Sequence, residues 1–403
     1  MNHNFLPAHI LLPKSDPVLW SVIACDQFSS ERSYWDRVEA AVGEAPSTLR
    51  MIVPEAYLGS ISMVEAAPER NRVMEEYLKG DVFRHLENSF IYVERAVTGG
   101  KIRRGIVGKL DLDAYDYLAG ENPAARASEK TVVERLPPRI QVRRGAILEM
   151  PHVLVLIDDE KKSVVEPLTE KKASLPCAYD FELMEGGGRI AGYKVSGNEA
   201  EAVVAAVDAL AERSVQFVIG DGNHSLAAAK ECWREIKKGL TPEEAESHPA
   251  RWALVEVCNV YDEGIEFEPI HRIVFDGNAE EILKKLAHRY GDEAGRSLKY
   301  LTDGKEGEIR LKNESLGAFI AHVQEILDEV EKEGATVDYI HDDESLRALA
   351  ERKGSLALFM PLMEKGDLFR TVERSGVFPK KSFSIGHARD KRYYTECRKI
   401  QKN

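Results

Sequence analysis

Six consecutive residues carry side chains that could together do acid–base and anion-binding chemistry. The segment GDGNHS, residues Gly220–Ser225, contains a carboxylate, an amide, an imidazole and a hydroxyl beside two glycines. Carboxylates and imidazoles are common general acids and bases, and amides and hydroxyls can stabilise developing negative charge. The residue types therefore predict Asp221 and His224 as catalytic residues. The predicted ligand-binding residues of the segment are Gly220, Gly222, Asn223 and Ser225.

The elements around this segment determine what it could bind. The apolar run Gln216–Ile219 predicts a strand, and the alanine-rich amphipathic stretch that begins at His224 predicts a helix. The first turn of a helix has N–H groups without intrahelical partners, which makes it a site for anions such as phosphate. The alternative is that Asp221 or Asn223 only caps the helix and the glycines only turn the chain.

Further carboxylates are candidates for binding a metal or for catalysis. Asp26 follows the apolar run Pro17–Cys25, which is predicted as a strand, and precedes a helical segment that ends at Gly43. Mg²⁺ prefers carboxylate oxygens, so Asp221 and Asp26 are predicted as its ligands, and Glu129 as a third catalytic residue. A turn or capping role for Asp26 is the alternative.

Basic residues elsewhere could bind phosphate. Arg139 lies in an arginine-rich block whose Pro137-Pro138 pair is expected to break any helix. His271 and Arg272 alternate within a predicted strand, so one of them should face a polar cleft, and Lys381 lies in a basic, aromatic tail. The alternative for Arg139 is ion pairing with acidic residues of the same block. His271 and Arg272 could instead lie in an edge strand with both side chains exposed to solvent, and Lys381 could belong to a frayed terminus.

Composition excludes several classes of protein. The chain of 403 residues has a formal net charge of −13, which disfavours nonspecific binding to nucleic acid. Its five cysteines are far apart, without the spacing of a zinc site or a disulfide framework. No signal peptide and no apolar run of about 20 residues, the length needed to span a membrane, is recognised. A cytoplasmic protein is expected, without zinc, haem or flavin.

The order of predicted elements favours an α/β fold. The middle of the chain alternates helices and strands, which places the glycine turn at the carboxyl end of a strand of a mixed sheet. Two strands around Gly99-Gly100 predict a hairpin, and His152–Ile157 predicts a strand buried on both faces. From Gly277 on, charged helices alternate with short strands. We therefore predict a core over residues 1–275 and a smaller α/β module over residues 276–403, whose basic tail could return to the phosphate site.

The same segments resemble a bacterial and archaeal family catalogued as domain of unknown function 1015. The pieces that carry the resemblance span the whole chain and are IACDQFSSER, SEKTVVERLPPRI, FVIGDGNHSLAAAK, EPIHRIV and FPKKSFS. The family turn usually reads Asp-Gly-His-His-Arg, so Asp221, Gly222 and His224 match, whereas Asn223 and Ser225 replace a histidine and an arginine. The turn and helix are also similar, over a few tens of residues, to the ParB and sulfiredoxin superfamily, whose members bind CTP or ATP and include kinases of free serine.

These observations lead to two alternative functions. The first is an enzyme that binds a nucleotide or another phosphorylated small metabolite, such as ATP, ADP or CTP with Mg²⁺, and acts as a phosphotransferase. The second is a nucleotide-responsive, ParB-like regulatory or DNA-associated protein without turnover. The second would need a basic helix-turn-helix face, which the sequence lacks. A homodimer is compatible with both functions. Hydrolysis by Ser225 with His224 is disfavoured, because neighbouring helical residues point about 100° apart.

Overall fold

The computed structural model describes residues 3–57, 60–118, 123–150 and 152–402. The described residues form two compact units. The first unit comprises Met1–Ala127, Thr131–Ile265 and Gly386–Asn403, and the second comprises Ser128–Lys130 and Glu266–Ile385. The predicted division into residues 1–275 and 276–403 stays a prediction.

Strands and helices alternate along the described chain, which confirms the predicted α/β class. The strands are β1 Phe5–Leu6, β2 Ala8–Pro13, β3 Phe83–Val97, β4 Lys101–Asp111, β5 Tyr115–Asp116, β6 Ala125–Ala127, β7 Leu148–Glu149, β8 Leu154–Ile157, β9 Cys177–Leu183, β10 Gly188–Val195, β11 Phe217–Asp221, β12 Trp252–Asn259, β13 Phe267–Pro269, β14 His271–Phe275, β15 Gly291–Thr302, β16 Lys305–Leu311, β17 Thr336–Ile340, β18 Leu356–Phe359, β19 Phe383–Ile385 and β20 Arg398–Lys399. The helices are α1 Pro17–Trp20, α2 Arg32–Val42, α3 Met63–Lys79, α4 Leu136–Arg143, α5 Glu166–Lys171, α6 Asn198–Ala209, α7 Asn223–Lys237, α8 Pro242–Ser247, α9 Ala279–Tyr290, α10 Leu316–Lys332, α11 Asp343–Leu349 and α12 Lys365–Ser375.

The first unit contains a large mixed sheet. Its strand order is β5-β6-β11-β8-β12-β4-β3-β10-β9, with β1 paired to β4 and β2 paired to β3. Strand β11 runs parallel to β6 and antiparallel to β8, and β8 runs parallel to β12. Every residue of β8 is buried, as its continuous apolar sequence predicts. Strand β11 lies inside the sheet and pairs with β8 as far as Asp221, where the chain turns into α7.

The second unit contains a five-stranded antiparallel sheet of order β16-β15-β18-β14-β17 and the separate pair β13–β19. Strand β14 lies between β18 and β17, so His271 and Arg272 are in an interior strand and not at an edge. The predicted single strand Ile265–Phe275 is therefore wrong, since β13 and β14 pair in different sheets.

Several other predictions of local structure can be compared with the fold. The hairpin around Gly99-Gly100 is confirmed by the pairing of β3 with β4. The predicted strand Pro17–Cys25 is wrong, because α1 begins there. The Asp16 side chain accepts the Val18 N–H at 2.9 Å, and proline occupies the first turn. A capped start with proline thus outweighs the apolar character of the run.

Two short predictions near the site are also corrected. Instead of the predicted strand Met51–Val53, a 3₁₀ turn runs over Thr48–Met51, where the Ser47 side chain accepts the Leu49 N–H. The prolines expected to break a helix lie in the first turn of α4, where a missing N–H removes no intrahelical bond. The predicted strand Leu58–Ser60 lies partly outside the described residues.

Candidate functional site

Strand β11 ends at Asp221, and α7 begins two residues later at Asn223, as the sequence predicts. The residue between them, Gly222, is in the left-handed region with φ 80° and ψ 22°. A Cβ atom at this position would lie 3.0 Å from the Cα of Val153. Glycine is therefore needed for its backbone conformation and for its small size.

The turn is also fixed by its own hydrogen bonds. The Gly222 N–H donates to Asp221 Oδ1 at 2.9 Å, and the Leu226 N–H donates to the Gly222 carbonyl at 3.0 Å. The Asn223 side-chain amide donates to the Ile219 carbonyl at 3.5 Å. Gly220 is half-buried within β11. The Asp221 and Asn223 side chains thus take part in the turn itself. Among the described residues, no side-chain hydrogen bond caps the start of α7, so these contacts are not the helix cap considered as the alternative.

A cavity lies against the first turns of α7 in the first unit. It encloses about 1100 Å³, including the part open to solvent. Much of its wall is apolar and includes Met51, Met74, Val142, Leu148, Ala229 and Leu254. Its polar wall includes Asp26, Glu55, Arg139, His152, Ser225 and Tyr394. A mostly apolar cavity with a few converging polar groups is typical of small-molecule sites.

A chain of hydrogen bonds connects three of these polar groups and continues to Cys25. Ser225 Oγ lies 3.1 Å from His152 Nε2, and His152 Nδ1 lies 2.9 Å from the Tyr394 hydroxyl. The Tyr394 hydroxyl donates to Cys25 Sγ at 3.2 Å and accepts the Cys25 N–H at 3.2 Å. Asp26 Oδ2 is 3.9 Å from the same His152 Nε2 that faces Ser225. The serine and the imidazole are therefore in the relative position of a hydroxyl and its base.

Two carboxylates at the cavity have pKa values that are shifted in opposite directions. Burial acts to raise the pKa of Asp26, but His152, the Gln27 amide, Lys391 and Arg139 outweigh it, so the pKa lies below its usual value. Burial raises the pKa of Glu55 above its usual value, although Arg139 opposes the shift. An ionised carboxylate beside one that takes up a proton more readily is a common arrangement for acid–base catalysis.

Arg139 is the one residue of the arginine-rich block that was predicted to bind phosphate. Its guanidinium forms an ion pair with Glu55, and its Nη1 donates to the Arg135 carbonyl at 2.9 Å. The side chain therefore lines the cavity with its charge already partly balanced by a carboxylate. An anion that enters here would share this guanidinium with Glu55.

Asp221 has a cationic partner from the end of the chain. Lys391 Nζ lies 3.2 Å from Asp221 Oδ2, and the two side chains are 13% and 27% exposed. Among the residues that the structure describes, no group of three or more His, Cys, Asp or Glu side chains is arranged to hold a metal ion. The Lys391 ammonium is thus the cation beside Asp221 in this structure. Binding of Mg²⁺ by Asp221 and Asp26 stays a prediction.

His224 points away from the Ser225 hydroxyl and toward the loop before α4. Its Nε2 accepts the Val132 N–H at 3.3 Å. Burial, followed by the charges of Arg139 and Arg135, lowers the pKa of His224 to about 4. The ring is therefore neutral near pH 7, and its predicted acid–base role stays a prediction.

The remaining predicted residues belong to the second unit. Glu129 is half-buried, and desolvation raises its pKa although backbone N–H groups of the segment Lys381–Phe383 bind its carboxylate. His271 Nε2 lies 2.8 Å from Asp343, and its Nδ1 accepts the Met360 N–H at 3.0 Å. Each of these contacts lies within the second unit.

Arg272 is completely buried, and its guanidinium lies 5.1 Å from the Tyr339 ring centroid. Its Nη1 donates to the Ile270 carbonyl, whereas Nε and Nη2 have no hydrogen-bond partner among the described residues. Burial lowers the pKa of Arg272 to about 10. A buried guanidinium with unsatisfied donors is costly, which keeps Arg272 a candidate for binding an anion.

The tertiary structure brings Asp26, Arg139 and Ser225 to one cavity. It adds residues that the sequence reasoning did not select as site residues, namely Cys25, Glu55, His152, Lys391 and Tyr394. His152 begins a predicted buried strand and Tyr394 lies in the basic, aromatic tail, which were the available signals. Glu55 and Lys391 have no distinguishing local pattern, since single charged residues are common on surfaces.

Comparison with known families identifies the chain. The family described as protein of unknown function (DUF1015) matches residues 6–364, and the chain belongs to this family. No curated protein matches the chain. Within the described residues, no helix has both the length and the apolar character needed to span a membrane.

Several solved structures are similar at low identity. A conserved hypothetical protein from Pyrococcus furiosus is 13% identical, with 73% of this chain and 94% of that chain covered and a TM-score of 0.38. A free serine kinase in complex with AMP is 12% identical, with 73% and 90% covered and a TM-score of 0.40. SbnI with a C-terminal truncation, from Staphylococcus aureus, is 10% identical, with 70% and 82% covered and a TM-score of 0.37. At these TM-scores, the likenesses carry no argument about ligand or reaction.

Proposed function

We propose that this member of the DUF1015 family is an enzyme that binds a nucleotide or another phosphorylated small metabolite and transfers its phosphoryl group. The observation that carries the proposal is the position of Ser225 on the first turn of α7, where it lines a cavity that also contains Asp26, Glu55, Arg139 and His152. Anion-binding backbone and acid–base side chains thus belong to one cavity.

The two kinds of wall suit the two parts of such a ligand. The first-turn N–H groups of α7 and the Arg139 guanidinium would bind phosphate oxygens. The apolar wall formed by residues such as Met74, Val142 and Leu254 would bind the uncharged organic part, for which a nucleobase is suitable. ATP, ADP and CTP are therefore the ligands proposed for the site. The similarity of the turn to the ParB and sulfiredoxin superfamily stays a prediction that agrees with this choice.

Acid–base chemistry would come from the carboxylates and the imidazole. Asp26, with its lowered pKa, stays ionised and would stabilise positive charge on the neighbouring His152 when the imidazole takes a proton. Glu55, with its raised pKa, is a second group at the cavity that can carry a proton. Lys391 beside Asp221 would provide positive charge near the turn.

A ligand screen tests the proposal directly. The melting temperature of the protein is measured with ATP, ADP, CTP, sugar phosphates and amino-acid phosphates, each with and without Mg²⁺. At least one of these ligands should raise the melting temperature in a concentration-dependent manner, since a ligand that binds only the native state stabilises it. The stabilising ligand is then incubated with hydroxyl-bearing acceptors, and its conversion is followed by chromatography. Absence of any thermal shift across the screen would contradict the proposal.

A further inference from the structure

We infer that Ser225 is a nucleophile activated by His152 and that it forms a covalent phosphoserine during the reaction. The identity of the phosphoryl donor rests on the proposed function, whereas the reactivity of the hydroxyl rests on the geometry of the side chains. Nucleophilic catalysis here uses His152, a residue distant in sequence, and not the adjacent His224.

The distance and surroundings of the pair support this role. Ser225 Oγ lies 3.1 Å from His152 Nε2, within the range for a hydroxyl and the base that takes its proton. Both side chains line the same cavity, so an electrophile held there can reach the hydroxyl. The imidazole itself is buried, which keeps it in a fixed position. A nucleophile and its base are therefore placed together at the wall of a ligand-sized cavity.

The hydrogen bonds of Tyr394 determine which nitrogen of His152 is the base. The Tyr394 oxygen already accepts the Cys25 N–H, and its O–H is directed to Cys25 Sγ. Burial raises the pKa of the Cys25 thiol to about 12, so the thiol is neutral. The remaining lone pair of the Tyr394 oxygen accepts from His152 Nδ1–H at 2.9 Å. In the neutral form of the ring, with its proton on Nδ1, His152 presents an unprotonated Nε2 to Ser225.

Asp26 completes the arrangement electrostatically. Its Oδ2 lies 3.9 Å from His152 Nε2, and its pKa is lowered, so the carboxylate is ionised near neutral pH. When Nε2 takes the proton of Ser225, the ring becomes a cation, which the neighbouring negative charge stabilises. Asp26 therefore favours the protonated state of the base that the reaction generates.

The covalent step is balanced within these groups and the substrate. Ser225 Oγ forms a bond to the phosphorus atom, and the bond from phosphorus to the leaving-group oxygen breaks, with its electron pair on that oxygen. The Ser225 proton moves to His152 Nε2 and then to the leaving group. An acceptor alcohol or water next attacks the phosphorus atom of the phosphoserine and gives its proton to His152 Nε2. The bond from phosphorus to Ser225 Oγ breaks, and the proton passes from His152 to Ser225 Oγ. The phosphoserine in between lies on the first turn of α7, where a phosphate is stabilised.

An alkyl fluorophosphonate tests the nucleophile without knowledge of the natural donor. This probe reacts with activated serines by displacement of fluoride from phosphorus, and its alkyl chain can lie against the apolar wall of the cavity. The intact protein is incubated with the probe, and the modified peptide is located by mass spectrometry. We expect one modified residue, Ser225, in the wild-type protein. The rate should fall at least about 100-fold in His152→Gln, in line with the usual contribution of a general base.

Two control variants show whether the labelling is specific for Ser225. Ser33→Ala, which changes an exposed serine of α2, should be modified like the wild type. Ser225→Ala should not be modified, while its melting temperature reports that it is folded. Because the modified residue is mapped in the wild-type protein, the outcome does not depend on whether a variant folds.

The outcomes separate this inference from the proposed function. If nucleotides raise the melting temperature but the fluorophosphonate does not modify Ser225, the nucleophile is overturned and the proposed function stands. If Ser225 is modified but no phosphorylated ligand stabilises the protein, the nucleophile stands and the proposed function fails. Modification of Ser225 together with a phosphoserine that forms on incubation with the stabilising nucleotide supports both.

Discussion

The ammonium nitrogen of Lys391 lies 3.2 Å from Asp221 Oδ2, so the end of the chain neutralises the carboxylate of the glycine turn. Both side chains belong to the first unit, although they are far apart in sequence. We expect a double-mutant cycle with Lys391→Met and Asp221→Asn to give a coupling of about 0.5–1 kcal/mol in the free energy of unfolding, measured by urea denaturation.

The exposed pair Lys79–Glu75 on α3 provides the control for this cycle. Its atoms are 3.0 Å apart, but its side chains are 76% and 51% exposed, so solvent screens the interaction. The coupling at Lys79–Glu75 should be smaller than at Lys391–Asp221. Equal couplings would mean that the Lys391–Asp221 ion pair stabilises the fold no more than an exposed ion pair does.

The conformation of Gly222 predicts a large cost for a side chain at this position. Gly222→Ala places a residue at φ 80°, which costs on the order of 1–2 kcal/mol, and brings its Cβ to 3.0 Å from the Val153 backbone. Gly99 has φ 81° and ψ 7° in a hairpin turn with nothing near its Cβ position. We expect Gly222→Ala to lower the free energy of unfolding by about 1 kcal/mol more than Gly99→Ala, because only the former adds a steric overlap.

The lowered pKa of His224 predicts a pH dependence of stability. Its folded-state pKa is about 4, below the usual value of 6.5 for a histidine, so the unfolded chain binds the proton more readily between these values. The neutral ring therefore contributes stability that is fully present above pH 6.5 and is lost as the pH falls toward 4. The free energy of unfolding, measured by denaturant titration at several pH values, should fall less steeply over this window in His224→Gln than in the wild type. Identical pH profiles would contradict the buried, neutral state of the ring.

Arg139 is expected to contribute to ligand binding. Arg139→Met keeps much of the side-chain volume and removes the charge, so the thermal shift produced by the stabilising nucleotide should be reduced at least several-fold. Arg189→Met removes a guanidinium that is paired with Asp180 on an exposed strand, and this variant should keep the wild-type shift. If both variants respond to the ligand like the wild type, phosphate does not bind at Arg139.

Tyr394 is a positioning residue, and its effect can be followed spectroscopically. Tyr394→Phe removes the oxygen that accepts from His152 Nδ1–H but keeps the ring. The proton should then move to Nε2, so that Nε2 would no longer present a free lone pair to Ser225. The ¹⁵N chemical shifts of the His152 ring report the proton position in the wild type and in the variant. Unchanged shifts in a folded variant would remove the proposed role of Tyr394.

The local structure near the glycine turn follows from the sequence, because the interactions that fix it are short in range. Gly222, the apolar run before it and the amphipathic stretch after it predict β11, the turn and α7, since they depend on backbone freedom and hydrophobic periodicity. At Pro17 the apolar run predicts a strand, but the Asp16 cap and the proline start helix α1 there. Strong local signals for helix initiation then compete with hydrophobic pattern, and the pattern alone cannot decide between them.

The composition of the cavity depends on long-range packing. Ser225 meets His152 across 73 residues, and His152 meets Tyr394 across 242. Such pairs arise only when the sheet places β8 beside β11 and when the end of the chain folds back into the first unit. The sequence alone thus determined where helix α7 starts and to which family the chain belongs. The tertiary structure determined the base of Ser225 and the cation beside Asp221, because contacts between distant segments have no local periodicity to reveal them.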